Sequence, residues 1–329
     1  MQYNAITFVK RPTAEITPDI FERVTLQTPE LKDDEFLVKQ THMSLDPAMR
    51  TWMMDNEESY IPPVAIGEVM RAYGVGEVVE SKNPAFPVGA RVVGITGWAE
   101  YVLGGADMQI VPQDVPVEAL LCALHVPGLT AYVGLFEVLR PKAGETLVVS
   151  GAAGSVGSLV GQMAKAEGLR VVGVAGSDEK CRWLVDELGF DAAINYRSAN
   201  LAEQLAEATP NGIDCYFENT GGPIQQLVYS RMNRFGRICV CGMISDYNRE
   251  TPLPGPNWMD INLKALRVEG FVIVDHYDKA PKAVETITGY LQKGQLKYRA
   301  HVLEGLDSAI DGINLLFNGE NQGKLLVKF

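Results

Sequence analysis

Hydrophobic positions in residues 1–122 fall in short runs broken by polar ones. Runs such as Ala5-Ile6-Thr7-Phe8-Val9 and Glu35-Phe36-Leu37-Val38-Lys39 are bounded by Pro, Asp and Gly. Gly67, Gly74, Gly76, Gly89, Gly94 and Gly97 recur between valine-rich pieces. That pattern predicts a small, strongly bent β-barrel-like domain with many turns. Pro112, Pro116 and Pro127 punctuate the chain before a helix-like stretch at 129–139. Strand and helix patterns then alternate, with strands expected at 146–150, 170–175, 191–195, 213–217, 236–241 and 267–274. Alternation of this kind implies a parallel sheet with right-handed crossovers, and six strands suit a doubly wound α/β sheet built from two halves. Helix-like stretches follow near 279–293 and 306–318. The last residues, Lys324-Leu325-Leu326-Val327-Lys328-Phe329, read as a strand that returns to the first domain.

The most informative stretch is 146–180. An apolar, β-branched run, Thr146-Leu147-Val148-Val149-Ser150, leads into Gly151-Ala152-Ala153-Gly154-Ser155-Val156-Gly157. Leu159, Val160, Met163 and Ala164 then recur at helical spacing, Gly168 stops that helix, and Arg170-Val171-Val172-Gly173-Val174-Ala175 reads as the next strand. This is one βαβ unit. Its glycines let the backbone approach a pyrophosphate, and the helix start offers N–H groups and a positive dipole end. The spacing is Gly-x-x-Gly-x-x-Gly, and the strand–turn–helix context carries the reading more than the glycines do. A carboxylate about 20 residues on usually binds the ribose of NAD. Here that place holds Ala175-Gly176-Ser177, with Lys180 and Arg182 shortly after. Removing the acid and adding a lysine favours the 2′-phosphate of NADPH. The same two cations would also suit a solvated first helical turn.

Three further pieces end predicted strands of this sheet, where open α/β sheets bind ligands. They are Glu218-Asn219-Thr220-Gly221-Gly222, Cys241-Gly242-Met243-Ile244-Ser245 and Phe271-Val272-Ile273. Such glycines also close ordinary tight turns, and spacing alone does not separate the two readings. Tyr247 lies just past one of the turns. A phenol can hydrogen-bond a carbonyl and protonate an enolate; a free tyrosine, with its pKa of ~10, holds its proton at neutral pH.

Composition narrows the class. With 47% hydrophobic residues in 329, the chain is long enough for one large or two ordinary well-cored domains. Its formal charge of −12 argues against a nucleic-acid-binding surface. Cysteines 122, 181, 215, 239 and 241 form no metal-spaced set and are expected as reduced thiols of a cytoplasmic protein. Histidines 42, 125, 276 and 301 sit beside no Cys or Glu at ligand spacing, so no metal is expected. No Gly-x-Ser-x-Gly elbow is present. Met1-Gln2-Tyr3-Asn4-Ala5 lacks a basic segment followed by an apolar core, so no signal peptide is expected. Nor is any apolar run expected to approach the ~18 residues of a membrane span.

These residues, together with Met43-Ser44-Leu45-Asp46-Pro47-Ala48-Met49-Arg50, Pro127-Gly128-Leu129-Thr130-Ala131-Tyr132, Cys241 to Asn248, Pro252-Leu253-Pro254-Gly255-Pro256 and Asn321-Gln322-Gly323-Lys324, make the chain resemble a known family end to end. It is similar to the zinc-independent medium-chain dehydrogenase/reductases, in the branch with prostaglandin and leukotriene reductases and bacterial curcumin reductase. The resemblance implies a Rossmann NADPH-binding domain at 123–294. It implies a GroES-like substrate domain from 1–122 and 295–329, and a homodimer joined through the cofactor domains. The implied reaction is NADPH-dependent reduction of the C=C bond of α,β-unsaturated ketones and aldehydes. NADPH-dependent quinone reduction and non-catalytic NADPH binding remain alternatives.

Carried over residue by residue, Gly154, Ser155, Val156 and Gly157 would hold the pyrophosphate. Ser177, Lys180 and Tyr196 would meet the 2′-phosphate end. Thr130, Asn219, Cys241, Gly242, Met243, Ile244, Ser245, Phe271, Val272, Ile273 and Asn321 would line the rest of the cofactor. Met43, Ala48, Tyr60 and Tyr247 would border the substrate, with Tyr247 the catalytic donor. Ala48 departs from the family, which usually has Tyr there; its loss should widen the pocket and removes a hydroxyl.

Overall fold

The computed structural model describes every residue except Glu57. Seven strands come first: β1 (Gln2–Phe8), β2 (Phe21–Gln27), β3 (Phe36–Leu45), β4 (Arg71–Ser81), β5 (Arg91–Gly97), β6 (Tyr101–Leu103) and β7 (Gln109–Ile110). Six more alternate with helices: β8 (Thr146–Val149), β9 (Arg170–Ala175), β10 (Ala192–Asn195), β11 (Ile213–Glu218), β12 (Met232–Val240) and β13 (Arg267–Gly270). Two follow late in the chain, β14 (Ala300–Glu304) and β15 (Lys324–Lys328).

The chain divides into two compact units, Met1–Leu121 with Ala300–Phe329, and Cys122–Arg299. Cys122 and residues 295–299, expected in the substrate domain, fall in the second unit. For 295–299 the reason is local: Leu296 is buried in that unit's core, and the Gln162 side chain bonds both the N–H and the carbonyl of Lys297.

The first unit is built on a seven-stranded mixed sheet in the order β14-β15-β3-β4-β5-β7, with β6 also paired to β3. β1 and β2 form a separate antiparallel pair. β15 runs antiparallel to β3 and parallel to β14. Phe36, Val38, Val78, Val92 and Met108 make a buried cluster there, and Phe36 stacks on Phe86 with ring centroids 4.1 Å apart.

The second unit is a six-stranded sheet in the order β10-β9-β8-β11-β12-β13, parallel throughout. The order reverses between β8 and β11, which makes the carboxyl ends of these strands the ligand-binding side of a doubly wound sheet. Strand alternation explains its two covered faces. Leu147 and Val149 pack in one core with Leu159, Val160, Met163 and Ala164 of the helix Ser155–Ala166. Val148, between them, packs in the opposite core with Val172, Val174 and Ile194.

Two expectations change. The last strand stops at Gly270 rather than running to 274, because β12, its one neighbour among the described residues, ends at Val240, the register partner of Gly270. Phe271, Val272 and Ile273 therefore leave the sheet. Second, one helical run, Val117–Leu139, does have the length and apolar character of a membrane span, and 72% of its most apolar window is buried inside the protein. Pro127 did not delimit it, since that residue sits in the first turn of Val126–Tyr132, where no N–H is needed.

Candidate functional site

β8 ends in the glycine turn, and Gly154 N-caps the helix Ser155–Ala166 in extended conformation with no side-chain cap. The first N–H groups of that helix are thus unclaimed by a capping side chain. A Cβ on Gly157 would lie 2.5 Å from the Gly151 carbonyl oxygen and 2.9 Å from Ala152 Cα, so only glycine lets the turn close this tightly. The Ser155 hydroxyl is buried with no hydrogen-bond partner among the described residues. Bare N–H groups and an orphaned hydroxyl at a glycine-walled helix start fit a phosphate-bearing ligand.

At the end of β9, Ser177 caps the helix Asp178–Arg182 by accepting from the Lys180 N–H (3.2 Å). Lys180 is half-buried while Arg182 is exposed. Burial pulls the Lys180 ammonium below the usual lysine range, and the charge of Arg197 pushes the same way. The Arg197 guanidinium stands over the Tyr196 ring, 5.7 Å from its centroid. The Tyr196 hydroxyl reaches within 3.0 Å of where a Gly176 Cβ would be. Asn195 braces the group, donating to Asp178 Oδ1 (2.8 Å) and accepting from the Arg197 N–H (3.0 Å). The charge of Glu179 acts on Lys180 in the opposite sense, and Arg197 itself is exposed. Arg197 was absent from the sequence-based set; its only signal was its place beside Tyr196.

On the other side of β8, the turns after β11 and β12 interlock. Ile244 N–H donates to Asn219 O (3.2 Å), Ser245 N–H to Thr220 O (3.0 Å), and Ser245 Oγ to the same oxygen (2.5 Å). Burial pushes the Cys241 thiol up to about 12, so it stands in this strip as a protonated thiol rather than a nucleophile. The Tyr247 hydroxyl accepts a long bond from the Met243 N–H (3.4 Å), which turns the half-buried phenol back toward the strip. Asp246 Oδ1 accepts from the Leu253 N–H (3.0 Å), tying in the proline-rich segment. Phe271, Val272 and Ile273 are half-buried just beyond β13. Thr130 spends its hydroxyl on the Val126 carbonyl (2.7 Å) within its own helix.

Within the second unit the structure therefore gathers 154–157, the corner at 177, 180 and 196, and 219 with 241–247 at the carboxyl ends of one sheet. Met43, Ala48, Tyr60 and Asn321 belong to the first unit. There Met43 is buried on β3, and Ala48 is half-buried where the short helix Met49–Trp52 begins. Tyr60 is exposed, and Asn321 donates to Gly323 O (2.8 Å). That segment is pinned: Lys324, 3% exposed, forms an ion pair with Asp46, which also accepts from Ser44 Oγ (2.5 Å). Among the described residues no three His, Cys, Asp or Glu side chains cluster as metal ligands.

Comparison with known proteins places this geometry. Residues 4–111 match the family model described as the N-terminal domain of oxidoreductase, and residues 155–289 match that of zinc-binding dehydrogenase. The chain is 42% identical to prostaglandin reductase 1 of Bos taurus, covering 94% of this chain and 93% of that one. It is 42% identical to the NADP(+)-dependent 2-alkenal reductase of Nicotiana tabacum, covering 92% and 90%. The crystal structure of CurA in complex with NADPH from Vibrio vulnificus superposes with a TM-score of 0.94 at 38% identity, over 99% of this chain and 98% of that one.

Proposed function

We propose, for a chain that belongs to the medium-chain dehydrogenase/reductase family and to its zinc-independent prostaglandin and curcumin reductase branch, that it reduces the C=C bond of α,β-unsaturated ketones and aldehydes with NADPH. The observation that carries this reading is a phosphate-ready glycine turn, a dicationic corner and a phenol at the carboxyl ends of one parallel sheet. When bound, NADPH supplies the hydride that adds to the β-carbon.

The chain's own residues do the rest. Gly154 and Gly157 let the chain approach the pyrophosphate, and the N–H groups of Ser155, Val156 and Gly157 with the Ser155 hydroxyl take it. Lys180 and Arg197 pair with the 2′-phosphate, against Tyr196 and Ser177. Asn219, the turn 241–245, Phe271 to Ile273 and Thr130 serve the remaining length of the cofactor. Tyr247 donates a hydrogen bond to the substrate carbonyl oxygen as enolate charge develops there, and the α-carbon takes its proton from Tyr247 or water.

The test is NADPH oxidation with enones, enals and quinones, run beside NADH. Enone turnover with NADPH is expected. Turnover of quinones alone would replace this reading with a quinone reductase, and NADPH binding without any turnover would replace it with a binding protein.

Lys180→Ala should raise KM for NADPH about 10- to 100-fold, the value of one charge-assisted contact, and leave KM for NADH in place. Arg197→Ala should act in the same direction. Equal effects on the two cofactors would remove both residues from the 2′-phosphate.

A homodimer through the second unit is part of this proposal. Among the described residues β13 is an edge strand paired only with β12, and Trp258 (76% exposed), Met259, Leu263 and Val268 lie exposed on it and on the preceding helix Trp258–Lys264. An open strand edge flanked by apolar side chains suits a second copy of the same surface. Trp258→Asp should shift the sedimentation coefficient from that of a dimer to that of a monomer; an unchanged value would count against this face.

A further inference from the structure

Glu218 ends β11 and is fully buried, yet its partners are all neutral. Its Oε1 accepts from Ser150 Oγ (2.7 Å), from the N–H groups of Thr220 (2.8 Å) and Gly221 (2.9 Å), and at 3.4 Å from Thr220 Oγ1. Its Oε2 is buried with no partner among the described residues. Its backbone carbonyl accepts from the N–H groups of Cys241 (2.9 Å) and Gly242 (3.1 Å). Ser150, the last residue before the glycine turn, also accepts from the Asn219 N–H and from the Asn219 side chain through its carbonyl (2.8 Å each). One residue thus grips the ends of three adjacent strands.

A buried carboxylate without a cation is expensive. Here it satisfies two backbone N–H groups and a hydroxyl that an apolar side chain would leave stranded. It thereby gives 219–222 a fixed shape, where Gly221 and Gly222 are held at φ +71° and +73°. Through the interlocking bonds it provides the same for 241–245. The end of β9 takes the adenosine side of a dinucleotide in this strand order, so the ends of β11 and β12, across β8, face the nicotinamide side.

We propose that Glu218 is a positioning residue: its carboxylate holds the two turns in the shape that receives the nicotinamide half of NADPH. This rests on the cofactor reading above. The experiment compares Glu218→Gln, which keeps the side-chain volume, with wild type, titrating NADPH and separately 2′,5′-ADP, which carries only the adenosine half, by calorimetry. The expected result is a split. Kd for NADPH rises roughly tenfold or more, as for loss of hydrogen bonds to a charged group, while Kd for 2′,5′-ADP stays at the wild-type value. Ser150→Ala, which removes the hydroxyl bridging Glu218 to Asn219, should give the same split in smaller measure and serves if the Glu218 variant does not fold. Parallel weakening of both ligands, or no weakening of either, overturns the proposal. Wild-type protein that binds 2′,5′-ADP and NADPH while both variants bind the two ligands as wild type does sinks Glu218 alone, whereas wild-type protein that binds neither overturns the NADPH reading together with it.

Discussion

Tyr247→Phe should lower kcat/KM for a good enone by about 10²- to 10³-fold while leaving NADPH affinity near its wild-type value. The magnitude is that of one hydrogen-bond donor aimed at a developing oxyanion, ~3–4 kcal/mol. The substitution is structurally mild. The hydroxyl's bond from the Met243 N–H is long at 3.4 Å, so little folding energy is lost with it, and the ring keeps its packing. A fall in kcat/KM at unchanged Tm and unchanged NADPH binding is therefore the signature of a donor to the reacting carbonyl. Full kcat/KM in the variant would dismiss Tyr247 and return the protonation step to water.

The second large effect is on stability. Lys324→Met should destabilise the protein by ~3 kcal/mol, the lower end of the cost of stranding one member of a mostly buried ion pair. For a unit of this size that is roughly a 10 °C drop in Tm. Lys324 is 3% exposed, and the change leaves the Asp46 carboxylate accepting from Ser44 with no cation opposite it. The double variant, with Asp46→Asn added, removes both charges and should recover most of the loss, because the two effects are coupled. Thermal denaturation of the four proteins checks this. An additive double variant would mean that the ion pair contributes nothing as a pair.

Local periodicity made the second unit legible. β9 falls on 170–175 as the alternation predicts, and β8, β10 and β11 differ from expectation by a residue at one end. Elements whose ends are decided by neighbours were less legible. Nothing in Phe271-Val272-Ile273 itself says that β12 has already stopped. The helical run beginning at Val117 was hidden because Pro127 reads as a break unless one knows that a helical turn starts at Val126. The site shows the same division. The glycine turn and Lys180 are written in contiguous residues. The approach of Arg197 to Lys180, and of Lys324 to Asp46, joins residues far apart in the chain, and no spacing rule encodes it. Glu218 was visible as part of a Glu-Asn-Thr-Gly-Gly motif, but not the orientation that buries its carboxylate beneath the turns it holds.

The split first unit has a consequence for how the chain is made. β15 closes the 42–45 half of β3, and residues 300–329 leave the ribosome only after all of Cys122–Arg299. At ~5–20 residues per second, synthesis of that intervening unit takes on the order of 10–40 s. The parallel-sheet unit in the middle of the chain can be complete before the unit that was begun first. Through that interval β3 carries an unpaired edge beside Met43 and Leu45, both buried once β15 is in place. An open apolar strand edge is a template for pairing with another chain. The N-terminal unit is therefore the part of the molecule most dependent on protection during translation.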